Sequence, residues 1–136
     1  MLFRSLLYKM LNHYDVPGYG YQIKLGYTTL TEQWNPEFGA SMNHFMMGHL
    51  NNLLIPYFLG IWYEGEQITI APHPVGDITW CRGQMGNIKV DWHLEENIFV
   101  LNADIPAHQS ASIRLPYSRE TRVVGEGRHT LKERIK

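Results

Sequence analysis

The chain has 136 residues, a one-domain length able to bury a moderate core. Its 12 Lys and Arg against 13 Asp and Glu leave a formal net charge of −1, which gives no reason to expect nucleic acid or an anionic membrane as a partner. The single cysteine, Cys81, excludes an internal disulfide, and no apolar run reaches the ~20 residues that a spanning helix needs.

In chain order, Leu2, Leu6, Leu7 and Met10 fall on one helical face, which predicts an amphipathic helix from about Leu2 to Asn12. Val16-Pro17-Gly18 stops it, and Gly18 and Gly20 bracket Tyr19 with a flexible backbone. Tyr21 to Leu25 reads as a short helix closed by Gly26. Tyr27 to Trp34 is β-branched and extended in character, and Asn35-Pro36 is a turn signal. Ser41 is placed to cap a helix in which Met42, Phe45, Met46, His49, Leu50, Leu53 and Leu54 recur at spacings of three and four. Pro56 should kink that helix or open a separate turn of it.

After Gly60 the period changes to two. Gln67 to Ala71 alternates weakly, and Asp77 to Met85 reads as a strand. Ile88, Val90, Trp92 and Leu94 alternate with Lys89, Asp91, His93 and Glu95, then Phe99 to Ile105 alternates again, so the two form a hairpin. Ala111 to Leu115, Val123-Val124 and His129 to Ile135 complete a set of short strands. The prediction is an α+β chain: helices to about residue 60, then an antiparallel β-sandwich.

The stretch GYTTLTEQWNPEFGASMNH, Gly26 to His44, holds the densest chemistry. Glu32 sits among threonines, Trp34 and Asn35, with Asn43 and His44 beyond the Gly39-Ala40-Ser41 break. A carboxylate takes a proton from water, Asn and His hydrogen-bond hydroxyls, and tryptophan offers a flat face to a pyranose. The bland alternative is that Glu32 starts or caps a helix while Trp34 is core. The seven histidines show no His-x-His or His-x₃-His pair and no accompanying cysteine pair, so no metal site is expected. Trp80, Trp92 and Arg82 are expected to pack a sandwich, and Cys81 to be buried and inert.

Several motifs occur in one order. They are Pro17-Gly18-Tyr19-Gly20, Gly26-x-Thr28-Thr29-x-x-Glu32-x-Trp34, and Ser41-x-Asn43-His44 running on to Gly60-Ile61. In that order they resemble the C-terminal part of bacterial α-L-rhamnosidases, from about Leu6 to Thr130. Pro56 departs from the family pattern, in which the Asn-His helix continues regularly. The resemblance implies an (α/α)6 toroid ending near residue 62, so that 1–62 would be its terminal helices and 63–136 a C-terminal sandwich. It implies that Glu32 is the general base of an inverting glycoside hydrolase, with Trp34, Asn43, His44, Tyr19 and Tyr21 around a rhamnose-containing glycoside or other carbohydrate. An inverting pair of carboxylates stands about 6.5–9.5 Å apart. The family's general acid lies far upstream, so the chain alone is expected to be inactive, and no cofactor is implied. Met1 would lie inside a longer family protein, so the start says nothing of export and localisation stays open. The reading from another class is a non-catalytic module that binds carbohydrate or scaffolds a partner. Another inverting toroid glycosidase is a third. With neighbouring toroid helices absent, Leu2, Leu6, Met46, Leu50, Leu54 and Phe58 are expected to drive self-association through the helical region, as a two-fold dimer with the sandwich outward.

Overall fold

The computed structural model describes residues 2–35, 37, 39–118 and 120–135, without the Leu2 side chain. Pro36 of the expected turn and the apolar role of Leu2 therefore lie outside the described residues. The chain divides into two units, Met1–Asn52 and Leu53–Lys136.

The first unit opens with α1 (Leu2–Leu11), the expected amphipathic helix. It packs against α2 (Tyr19–Lys24). That neighbour covers only one side of the apolar face. Leu7 is 2% exposed, but Leu6 and Met10 are 54% and 40% exposed, and Phe3 joins them in the open. α2 begins two residues earlier than the sequence implies and ends at Lys24, with Leu25 as its C-cap and Gly26 in the left-handed conformation at φ 80°. Residues 27–35 bend without forming a strand.

The next helical stretch is a second correction. It does not begin at a Ser41 cap. It opens at Phe45, with His44 in the capping position and no side-chain cap bond. It runs as a 3₁₀ segment, Phe45–Leu50, then one turn of α3 (Asn51–Leu54), then a wide π turn, Ile55–Leu59. Of the expected apolar stripe, Leu50 is buried, whereas Phe45, Met46 and Met42 are exposed. Pro56, which lacks an N–H, stands at the start of the π turn. The turn closes with the Gly60 amide donating to the Ile55 carbonyl at 2.8 Å.

Gly60 ends it at φ 92°, and a Cβ there would lie 2.3 Å from the Pro72 nitrogen, so only glycine fits. The second unit then forms two four-stranded sheets. The first has β1 (Ile61–Glu64), β2 (Gln67–Ile70), β6 (Ala111–Arg114) and β7 (Thr121–Val124) in the order β1-β2-β6-β7. The second has β3 (Trp80–Met85), β4 (Ile88–Glu95), β5 (Ile98–Ile105) and β8 (Gly127–Arg134) in the order β3-β4-β5-β8. Pairing is antiparallel except between β2 and β6, where the chain returns from the second sheet to lie parallel to β2.

The sandwich is held by one core that both sheets supply. Ile61, Ile68, Ile70 and Ile113 meet Ile88, Val90, Trp92, Leu101 and Ile105. These are the alternate residues of each strand, as the period-two pattern requires. Trp92 is fully buried, and its indole N–H donates to the Phe58 carbonyl at 2.9 Å, so the π turn is tied to the sheet. Trp80 and Arg82 do not pack the sandwich as expected. They alternate with Cys81 and Gly83 on β3 and therefore point outward; Trp80 is 67% exposed.

Candidate functional site

The site is assembled in the first unit, from α2, the bend after it and the segment before Phe45. The Pro17-Gly18-Tyr19-Gly20 motif has a steric basis. A Cβ on Gly18 would lie 2.3 Å from the His13 carbonyl oxygen, and one on Gly20 would lie 2.8 Å from it. That carbonyl accepts the Tyr21 amide at 3.0 Å, so the loop folds tightly back and α2 starts at Tyr19. Tyr19 is buried, and burial pushes its phenol pKa up. Its ring meets Trp34 edge to face, with centroids 4.9 Å apart. Tyr21, on the same helix, is half-buried.

Gln22 on α2 is 2% exposed. Its Oε1 accepts the amide of Thr31, which is itself fully buried, at 3.3 Å. The Thr31 hydroxyl donates to the Gln33 carbonyl at 2.6 Å. Thr31 is thus held on both sides, and the neighbouring Glu32 turns outward.

Segments 29–32 and 41–44 are laced to each other. The Thr29 hydroxyl donates to the Met42 carbonyl. The His44 amide donates to the Leu30 carbonyl at 2.8 Å, and the Glu32 amide to the Ser41 carbonyl at 2.9 Å. These bonds occupy the backbone groups of residues 41–44, which is why no helix begins at Ser41. They also bring Glu32 and His44 together across twelve positions of sequence. The Glu32 Oε2 accepts the Ser41 amide at 3.0 Å and lies 3.9 Å from His44 Nδ1. The glutamate side chain is 44% exposed and the histidine 24%, so the pair has an open side. The His44 ring stacks on Phe45, with centroids 5.5 Å apart and planes 9° from parallel. Asn43 is exposed, and its backbone is fixed by the Ser41 hydroxyl, which both donates to its carbonyl and accepts its amide.

Glu32 and His44 therefore come together, Ser41 joins them through its amide, Asn43 is linked only through its backbone to the Ser41 hydroxyl, and Tyr19 and Trp34 form a separate aromatic pair on the same scaffold. Chemically, the arrangement is a carboxylate held by one amide, open to solvent, with an imidazole beside it. It can take a proton from water and hydrogen-bond hydroxyls. Gln22 carries no sequence signal; only its burial reveals it.

Comparison with known proteins gives this arrangement a context. Residues 3–57 match the family model for the bacterial alpha-L-rhamnosidase 6 hairpin glycosidase domain, and residues 66–130 match that for the bacterial alpha-L-rhamnosidase C-terminal domain. The class is thus that of glycoside hydrolases in which a helical domain is followed by a β-domain. An alpha-L-rhamnosidase of Streptomyces avermitilis is 27% identical over 88% of this chain and 13% of its own length. One of Formosa agariphila is 27% identical over 82% of this chain and 14% of its own. The chain belongs to the bacterial α-L-rhamnosidase family, whose C-terminal part it matches. Its fold superposes on that of a native α-L-rhamnosidase from Aspergillus terreus with a TM-score of 0.83 at 27% identity, over 94% of this chain and 17% of that one. It does so on the Streptomyces avermitilis enzyme in complex with L-rhamnose with a TM-score of 0.85 at 22% identity, over 96% and 16%. The chain spans about one seventh of the length of its curated relatives.

Proposed function

We propose that this chain carries the general-base carboxylate and part of the sugar site of an inverting α-L-rhamnosidase-like hydrolase, together with the closing β-sandwich. Residues 1–62 are, on this reading, the last helices of the toroid and 63–136 the sandwich; the two family-model matches fall on either side of that division. Glu32 is the base. The observation that carries the reading is the open carboxylate at residue 32, fixed by the Ser41 amide with His44 3.9 Å away. A base that activates water must be ionised, positioned and wet, and this one is fixed by a backbone donor while keeping solvent access. His44 and Asn43 hydrogen-bond sugar hydroxyls, and Trp34 and Tyr21 shape the aromatic wall, with Tyr19 setting the Trp34 ring.

Inversion needs a second carboxylic acid about 6.5–9.5 Å from the base. By family resemblance that acid belongs to an upstream segment, so the chain alone binds sugar without hydrolysing it. Calorimetric titration with L-rhamnose tests the reading: binding weakened by both Glu32→Gln and His44→Ala supports it, and binding indifferent to both overturns it. An aryl α-L-rhamnoside should be turned over only at the rate of the buffer blank.

Self-association of the 136-residue chain belongs to the same proposal, on a revised set of residues. Leu50 and Phe58 are buried within the chain and do not contribute. Phe3, Leu6 and Met10 on α1, and Phe45 and Met46 on the 3₁₀ segment, are exposed and do.

A further inference from the structure

The outward residues of the β3-β4-β5-β8 sheet form three consecutive rows. The strand register aligns Trp80, His93, Val100 and Lys132 in the first, Arg82, Asp91, Asn102 and Thr130 in the second, and Gln84, Lys89, Asp104 and Arg128 in the third. The second and third rows line a cleft of about 630 Å³. That is within the about 300–1,000 Å³ typical of small-molecule sites. Trp80 stands at one end, two residues along β3 from Arg82 and on the same face, about 7 Å away.

Three features point to the ligand. The first is Trp80 itself. A tryptophan 67% exposed, in one row with the buried Val100 and beside two polar rows, is a flat apolar platform open to solvent. The second is the middle row, which is pre-arranged. The Arg82 Nε–H donates to Asp91 Oδ2, His93 Nδ1 lies 3.6 Å from Asp91 Oδ1, and the Thr130 hydroxyl donates to Asn102 Oδ1 at 2.8 Å. Planar guanidinium, carboxylate and amide groups are thereby held with their remaining donors and acceptors outward. The third is the outer row. Among the described residues, no side-chain hydrogen bond or ion pair engages Gln84, Lys89, Asp104 or Arg128, although opposite charges alternate across it. The charges of the cleft are mixed in sign. A polyanion calls for a one-signed basic surface, and a protein partner for a broader apolar centre. A dense set of hydrogen-bonding groups of both kinds with one aromatic platform fits a neutral polyhydroxylated ligand.

We propose that this sheet face is a second carbohydrate-binding site, at which a neutral oligosaccharide stacks on Trp80 and hydrogen-bonds the Arg82–Asp91 and Asn102–Thr130 pairs. It is separate from the Glu32 site in residues and in role: it binds and does not react. It stands whether or not Glu32 is a base.

Affinity electrophoresis of the full chain tests it, in native gels containing galactan, arabinoxylan or mixed-linkage glucan, none of which offers rhamnose to the Glu32 site. The expected result is retardation by at least one of them, unchanged in 0.5 M salt and in Glu32→Gln. Trp80→Ala and Asn102→Ala should each weaken it by about tenfold or more, the loss expected of a central contact. Both positions point outward, and matched far-ultraviolet spectra confirm that the variants fold; Lys89→Ala gives a third, fully surface variant. No retardation by any glycan overturns the proposal. So does retardation that survives Trp80→Ala, that disappears in salt, or that is lost in Glu32→Gln.

Discussion

Gln22 lies almost fully buried beneath the Glu32 site, and among the described residues its Nε2 has no hydrogen-bond partner. Its value lies in Oε1, which receives the buried Thr31 amide. Gln22→Ala leaves that amide unpaired, at a cost of about 1–3 kcal/mol. The urea midpoint should fall with the slope unchanged, and L-rhamnose affinity should fall with it, because Thr31 sets the direction of Glu32. A variant as stable as the parent contradicts this role. Glu32, Asn43 and His44 were visible in the sequence because motif order marked them. Gln22 was not, since a buried glutamine inside a short helix has no periodic signature. Trp80 was misread for a related reason: WCRGQM has no apolar alternation from which to tell the inner from the outer face. Beside it, burial and then the Asp91 charge push the Cys81 thiol above its ordinary pKa. A raised pKa disfavours the thiolate, so iodoacetamide labelling at neutral pH should be slower than for a free thiol. The rate should rise with pH to a midpoint above the ordinary thiol value, and Asp91→Asn should move that midpoint down. A midpoint at or below the ordinary value contradicts the assignment.

Among the elements, β4 was legible because its apolar residues alternate without a break, and β5 because Phe99, Leu101, Ala103 and Ile105 keep the same period through an apolar start; these residues face the inside of one sheet. β1 was not. Ile61-Trp62-Tyr63-Glu64 is too short and too apolar to show a period. The helical stretch after His44 was legible as helical but not as three kinds of turn. Its spacing of three and four is shared by α and tighter helices, and what decides the difference lies elsewhere: the lacing of residues 41–44 to 29–32 sets the start, and Pro56 opens the π turn. The parallel β2–β6 pair was also hidden, since pairing partners far apart in sequence leave no local mark. The junction at Gly60 gives a sharp test. Gly60→Ala meets both a left-handed backbone and a backbone contact at 2.3 Å, so it should destabilise by well over about 1 kcal/mol. Thermal unfolding measures it, and a melting temperature within error of the parent shows the junction to be more tolerant than its geometry indicates.

The whole molecule combines helices that expose apolar side chains with a sandwich that has a closed core. Leu6 at 54%, Met46 at 61% and Phe45 at 87% exposed are costly to leave in water, each being worth roughly 1.5–3 kcal/mol on full burial. Sedimentation equilibrium of the 136-residue chain at micromolar concentration should give a dimer, and Leu6→Glu with Phe45→Ser should give a monomer; a parent that is monomeric throughout removes self-association from the account. The central claim is that residues 26–44 form a sugar site around Glu32. The most direct measurement is an amide chemical-shift titration of the ¹⁵N-labelled chain with L-rhamnose. Saturable shifts are expected at Glu32, Ser41 and His44, abolished by Glu32→Gln. Saturable shifts confined to other residues, or none between residues 26 and 44 at saturating sugar, would contradict the claim.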